Sequence, residues 1–105
     1  MADSRTIVVA GAGIGGLTTA LALAARGFRV IVLERTAKLE EAGAGLQLSP
    51  NASRILIDLG VEPLLAPHLI APDSISIMTA RTGTEIGRVP LGEAAALRYG
   101  APYWI

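Results

Sequence analysis

Apolar residues first gather in Thr6-Ile7-Val8-Val9-Ala10, a β-branched run without polar alternation. Such a run predicts a short strand buried on both faces of a parallel sheet. A glycine-rich turn follows. From Ile14 to Arg26 helix formers dominate, with Ile14, Leu17, Leu21 and Ala24/Ala25 on one stripe. Gly27 stands where a helix commonly ends on a left-handed residue. Arg29-Val30-Ile31-Val32-Leu33 then repeats the first apolar pattern, and Glu34 sits at its carboxyl end. Strand, helix and strand in about thirty residues predict a βαβ unit over about residues 5–35.

The next stretch, about residues 36–68, predicts a loop and a helix. Residues 36–44 are polar and glycine-bearing, and Gly45-Leu46-Gln47-Leu48 reads as a short strand or an extended passage. Ser49-Pro50 is a helix start, a capping hydroxyl followed by proline at the first helical position. The helix runs through Ala52, Ile55, Leu56 and Leu59 to Gly60, with a second short helix around residues 63–67. Beyond Pro72 the period becomes two: Ser74-Ile75-Ser76-Ile77-Met78, a turn at Arg81-Thr82-Gly83-Thr84, and a return strand over residues 85–89. This pattern predicts an antiparallel hairpin over about residues 73–90. Residues 91–100 read as loop, and Tyr103-Trp104-Ile105 as the beginning of a strand. There are no internal repeats.

The glycine turn adds chemistry to this pattern. It has the form Gly11-x-Gly13-x-x-Gly16, with Ile14 and Gly15 inside it. The first glycine permits the tight turn out of the strand, the second lets a pyrophosphate approach the backbone, and the third lets helix and strand pack closely. Gly15 is extra to this pattern and is expected to serve close packing. The helix N-terminus offers unpaired N–H groups and partial positive charge to phosphates. Glu34 stands where a carboxylate accepts hydrogen bonds from ribose hydroxyls, and where a 2′-phosphate would meet like charge. The ligand is a dinucleotide, either NAD or FAD, and NADP is disfavoured. The expected fold class is α/β: a Rossmann-like βαβ dinucleotide-binding unit followed by a helix and an antiparallel β-hairpin. That makes an incomplete FAD/NAD(P)-binding domain spanning residues 1–105.

Composition narrows the alternatives. The chain has 105 residues, enough for one modest domain, and is 51 % hydrophobic. Nine basic and nine acidic residues cancel, so no basic surface argues for nucleic acid or anionic lipid. Cysteine is absent, which removes disulfides and thiolate chemistry and fits a cytoplasmic setting. Four glycines between Gly11 and Gly16 interrupt the apolar stretch over residues 6–25, so neither a signal peptide nor a membrane span is expected.

Residues 43–52, Gly43-Ala44-Gly45-Leu46-Gln47-Leu48-Ser49-Pro50-Asn51-Ala52, are much more specific than the glycine turn. Together with residues 8–16, 30–35, 54–60 and 75–89 and Pro102-Tyr103-Trp104, they resemble the FAD-dependent aromatic-ring monooxygenases, the family of salicylate hydroxylase and para-hydroxybenzoate hydroxylase. The resemblance implies FAD rather than NAD, with Gly11, Gly13 and Gly16 at the pyrophosphate and Glu34 at the adenosine ribose. It implies that Arg35 lies over the adenine or its ribose, and that Gly43, Gly45 and Gln47 lie along the cofactor. It also implies reduction by NAD(P)H and insertion of one oxygen atom into an aromatic substrate. Family members are several times longer, so the chain is expected to be the N-terminal quarter of such an enzyme, without turnover of its own. Its catalytic residues are not identified.

Other polar residues have plainer readings. His68 is a surface or helix-end residue, residues 35–41 form a solvated mixed-charge stretch, and Arg54 pairs with Asp58 at i, i+4. Gln47 either meets the cofactor or satisfies backbone groups of its own loop. Tyr103 and Trp104 pack. No carboxylate pair, Ser/His/Asp set or metal-ligand cluster is present in the sequence. Two other functions remain open. One is a non-catalytic, self-associating module that pairs through open sheet edges with a second copy or a complementary chain. The other is a fragment of an NAD-binding oxidoreductase.

Overall fold

The computed structural model describes residues 5–40 and 45–105. The chain divides into two compact units, Met1–Gly43 and Ala44–Ile105. Gly43, expected along a cofactor, lies outside the described residues.

The first unit contains strand β1 (Thr6–Ala10), helix α1 (Ile14–Ala24) and strand β2 (Arg29–Leu33). β1 and β2 pair in parallel, Thr6 opposite Arg29 through Ala10 opposite Leu33. The βαβ unit is thus formed as the apolar runs predicted, and Gly27 is left-handed with φ 85°. α1 packs on this pair of strands, over the face carrying Ile7, Val9, Val30 and Val32, all half-buried. The expectation of strands buried on both faces needs correction. Val8 and Leu33, on the opposite face, are 55 % and 56 % exposed. A single helix can cover only one face of a two-stranded sheet, and nothing among the described residues of this unit covers the other.

In the second unit, helix α2 (Pro50–Asp58) is followed by a short helix α3 (Glu62–Leu65) and a 3₁₀ turn over Ala66–His68. Strands β3 (Ser74–Met78) and β4 (Glu85–Pro90) form the expected antiparallel hairpin, with an irregularity between Ile77 and Met78. Proline occupies the first position of α2 as predicted. Ser49, however, does not cap it: its hydroxyl donates to Asn51 Oδ1 at 2.5 Å and no side chain satisfies the first-turn amides. His68 is exposed at the end of the 3₁₀ turn. Arg54 and Asp58 make no ion pair within 4.0 Å among the described residues.

The stretch expected as loop after β4 is instead helix α4 (Gly92–Tyr99). Glu93-Ala94-Ala95-Ala96-Leu97-Arg98 are nearly all strong helix formers. Glu93 lies in the first turn and Arg98 in the last, both favourable to the helix dipole. Gly100, at φ 76°, ends the helix by donating its amide to Ala96 O.

The buried hydrophobic residues of this unit are Leu91, Ala95, Ala101 and Trp104. Leu48 and Trp104 exchange backbone hydrogen bonds of 2.8 and 2.9 Å, and Ile70 and Ile105 exchange two more of 2.8 Å. Residues 45–48 are therefore extended, and Trp104 packs as expected. Ser53, fully buried on α2, donates its hydroxyl to Pro102 O and so fastens the Ala101–Ile105 segment to α2.

Candidate dinucleotide-binding site

The turn between β1 and α1 is built by glycine for two reasons visible in its geometry. Gly11 adopts φ 103°, a conformation that strains any side-chain-bearing residue, and its amide donates to Leu33 O at 2.6 Å. This bond ties the turn to the end of β2. At Gly16 a Cβ would collide with the carbonyl oxygen of Gly11 and stand 3.5 Å from Val9 Cγ1. Glycine there lets the helix approach the strand.

Gly13 and Gly15 differ. A Cβ at either would have nothing within 4 Å. Gly13 is the N-cap of α1, in ordinary extended geometry. The protein's own packing does not require glycine at these two positions, and their lack of side chains leaves clear space at the helix start. Gly15 was expected to serve close packing; the open space around it removes that reason. No side chain caps α1 and no acidic residue lies in its first turn. The first-turn amides, Ile14 among them, therefore have no intrahelical acceptor and are available to an anion.

Glu34 lies just past β2. Its Oε2 accepts the Ala12 amide at 2.7 Å, and its Oε1 accepts the Thr36 amide at 3.1 Å. The Ala12 amide first, and the Thr36 amide second, hold the carboxyl below the usual carboxylate range. The group is ionised at neutral pH and fixed against the turn. A carboxylate offers about four acceptor positions, so these two bonds do not saturate it. Ala12 and Thr36 were not singled out from the sequence, because a backbone amide leaves no mark on residue type.

Arg35 is exposed and makes no ion pair within 4.0 Å among the described residues. Gly45 and Gln47 belong to the second unit, so Gly11, Gly13, Ile14, Gly15, Gly16 and Glu34 form a local cluster without them. A Cβ at Gly45 would come only as near as 3.9 Å to Ile105 Cγ2. Gln47 bonds to a side chain rather than to backbone groups of its own loop. Its Oε1 accepts the Tyr103 hydroxyl at 2.8 Å, tying the extended passage to the Ala101–Ile105 segment. Among the described residues no cluster of His, Cys, Asp or Glu could hold a metal ion, and no helix is long and apolar enough to cross a membrane.

A family model described as FAD dependent oxidoreductase matches residues 6–59, from the first strand through α2. The chain belongs to the FAD-dependent oxidoreductase family. It is 44 % identical over 97 residues to a 3-hydroxybenzoate 6-hydroxylase from Polaromonas naphthalenivorans (strain CJ2), covering 92 % of this chain and 24 % of that protein. It is 37 % identical over 103 residues to a 6-hydroxynicotinate 3-monooxygenase from Pseudomonas fluorescens, covering 98 % of this chain and 27 % of that protein. Among solved structures it resembles the tetrameric form of 2-methyl-3-hydroxypyridine-5-carboxylic acid oxygenase. The TM-score is 0.79 at 26 % identity, over 97 % of this chain and 25 % of that one. The chain thus spans about a quarter of the length of the curated relatives it matches. A clear glycine face, free helix-terminal amides and a fixed carboxylate fit an anionic, hydroxyl-bearing ligand, and FAD is the cofactor the family is described by.

Proposed function

We propose that this chain is the FAD-binding N-terminal part of a monooxygenase that hydroxylates an aromatic substrate with NAD(P)H and O2. The observation that carries the reading is Glu34, anchored by the Ala12 amide beside a turn whose Gly13 and Gly15 faces are open. Gly11, Gly13, Ile14, Gly15 and Gly16 would present backbone amides to the pyrophosphate. Glu34 would accept the ribose hydroxyls, and its negative charge would repel a 2′-phosphate. Arg35 would lie beside the adenosine, and Gly45 and Gln47 along the cofactor. FAD would supply the oxidative chemistry when bound, while these residues would bind and orient it.

The hydroxylase and monooxygenase relatives support the aromatic-substrate assignment. Turnover is assigned to a longer protein, in line with the quarter of its relatives' length that this chain covers. A cysteine-free composition supports a cytoplasmic location. The experiment is direct. Purified protein mixed with FAD and desalted should retain flavin, released on denaturation in a ratio near one per chain. A colourless protein that releases none overturns binding by this chain.

A second reading, self-association, has one observation behind it: the uncovered β1–β2 face bearing Val8, Ile31 and Leu33. Sedimentation velocity that finds only monomer at high concentration would exclude it.

A further inference from the structure

The second unit contains a cavity of about 640 Å³ that the FAD reading does not use. α2 contributes Arg54, α4 contributes Arg98 and Tyr99, and Tyr103 comes from the Ala101–Ile105 segment. Ile75 of β3 and Val89 of β4 form part of the apolar wall. We propose that this cavity binds a nucleoside phosphate, with the two guanidinium groups on the phosphate and the tyrosine rings against the base.

Charge is the first argument. No acidic side chain lines the cavity among the described residues, and neither Arg54 nor Arg98 has a carboxylate within 4.0 Å. Arg54 stands one helical turn from Asp58, the spacing at which an ion pair is readily made, yet none is formed. Two arginines from different helices that line one cavity, neither in an ion pair among the described residues, favour an anion, and the planar guanidinium fork matches phosphate oxygens in pairs.

Shape supplies the second argument. Pockets that bury drug-sized ligands run from roughly 300 to 1,000 Å³, and this volume falls within that range. A bare inorganic anion would leave most of it to water, so the ligand needs a body. Arg98 lies over the Tyr99 ring at 5.4 Å from its centroid, so a cationic group and an aromatic ring stand together at this cavity. A nucleobase stacks on tyrosine. Asn51 adds a polar handle: its Oδ1 accepts from Ser49, which leaves its NH2 group free to donate. The shared chemistry is that of a free nucleotide and of the nucleotide end of a dinucleotide.

The inference goes beyond the FAD reading and is tested separately from it. 5′-AMP is titrated into the 105-residue chain loaded with one equivalent of FAD and freed of unbound flavin, and backbone amide shifts are followed by NMR. Shifts should be saturable and centred on Ile75, Val89, Tyr99 and Tyr103. Adenosine and inorganic phosphate should each bind at least about tenfold more weakly than AMP. Arg54→Gln and Arg98→Gln change exposed side chains; each should weaken AMP at least about tenfold while leaving flavin retention unchanged. NADPH binding more tightly than AMP identifies the dinucleotide as the source, and equal binding identifies the free nucleotide; either upholds the site. Shifts confined to residues 11–34, no saturable shift, equal binding of adenosine, or unaltered AMP affinity in both arginine variants would each overturn it. Loss of flavin binding alone would count against the FAD reading and leave the cavity result standing.

Discussion

Gly16→Ala and Gly13→Ala change neighbouring glycines of one turn by one methyl group, and the structure assigns them opposite consequences. At Gly16 the new Cβ meets the backbone carbonyl of Gly11, which cannot swing aside as a side chain would. Overpacking of this kind costs about 1–3 kcal/mol. Alanine in place of a helical glycine returns up to about 1 kcal/mol. A clash with backbone stands at the upper end of the overpacking range, about 2–3 kcal/mol. After the full helical gain the net loss is about 1–2 kcal/mol, or a fall in Tm of roughly 5–15 °C for a domain of this size. At Gly13 the Cβ enters open space, φ is −74°, and only the modest cost of alanine at an N-cap applies. Stability there should change by about 1 kcal/mol at most. Flavin retention should fall in both variants, in Gly16→Ala together with Tm and in Gly13→Ala without it. Thermal unfolding followed by circular dichroism, paired with flavin release after desalting, reads the two quantities. If Gly16→Ala melts with the wild type, the close approach to Gly11 is wrong. If Gly13→Ala retains FAD at wild-type affinity, the open face is not where the cofactor lies.

Glu34→Gln should weaken FAD and remove a pH-dependent part of stability. The folded carboxyl sits below its ordinary value of 4.5, so its contribution is present above that value and is lost as pH falls through the folded one. Denaturant titrations of wild type and variant should therefore converge on acidification; a gap that is constant from neutral pH into the acid limb would refute the anchoring of Glu34 by Ala12. Ser53→Ala removes the fully buried hydroxyl that donates to Pro102 O and leaves that carbonyl without its partner. Urea unfolding should show a loss of about 1–3 kcal/mol, and a variant as stable as the wild type would remove Ser53 from the link between α2 and the Ala101–Ile105 segment.

The first unit was legible because its two apolar runs, the glycine turn and Glu34 all point to one supersecondary structure. Its strands were expected to be buried twice over, since the pattern states what a strand suits, and what covers Val8 and Leu33 is not part of the pattern. α4 was hidden by Gly92 and Gly100, which read as loop residues although Gly100 terminates the helix. Its outward Leu97, 80 % exposed, also blurs any apolar stripe. At the site, the glycine spacing was visible, whereas the reason for each glycine was not: Gly15 looked like a packing residue and stands in open space. The Arg54 and Asp58 spacing invited an ion pair that the structure does not form, and the free arginine instead lines the cavity. The bond between Gln47 and Tyr103 joins residues fifty-six positions apart, beyond the reach of local spacing rules.

That separation bears on how the chain acquires its structure during synthesis. β1, α1 and β2 find one another within about thirty residues, so this unit closes over short loops and can form early. Leu48 must wait for Trp104, and Ile70 for Ile105, before the second unit is tied together. Domains form as units in the order in which they leave the ribosome. The glycine turn and Glu34 can therefore be in place, and ready for a nucleotide, while Tyr103 and the cavity it lines are still unmade. On the proposed reading, flavin supplied during translation would meet a formed glycine turn and Glu34 first, making the cofactor a candidate partner in folding.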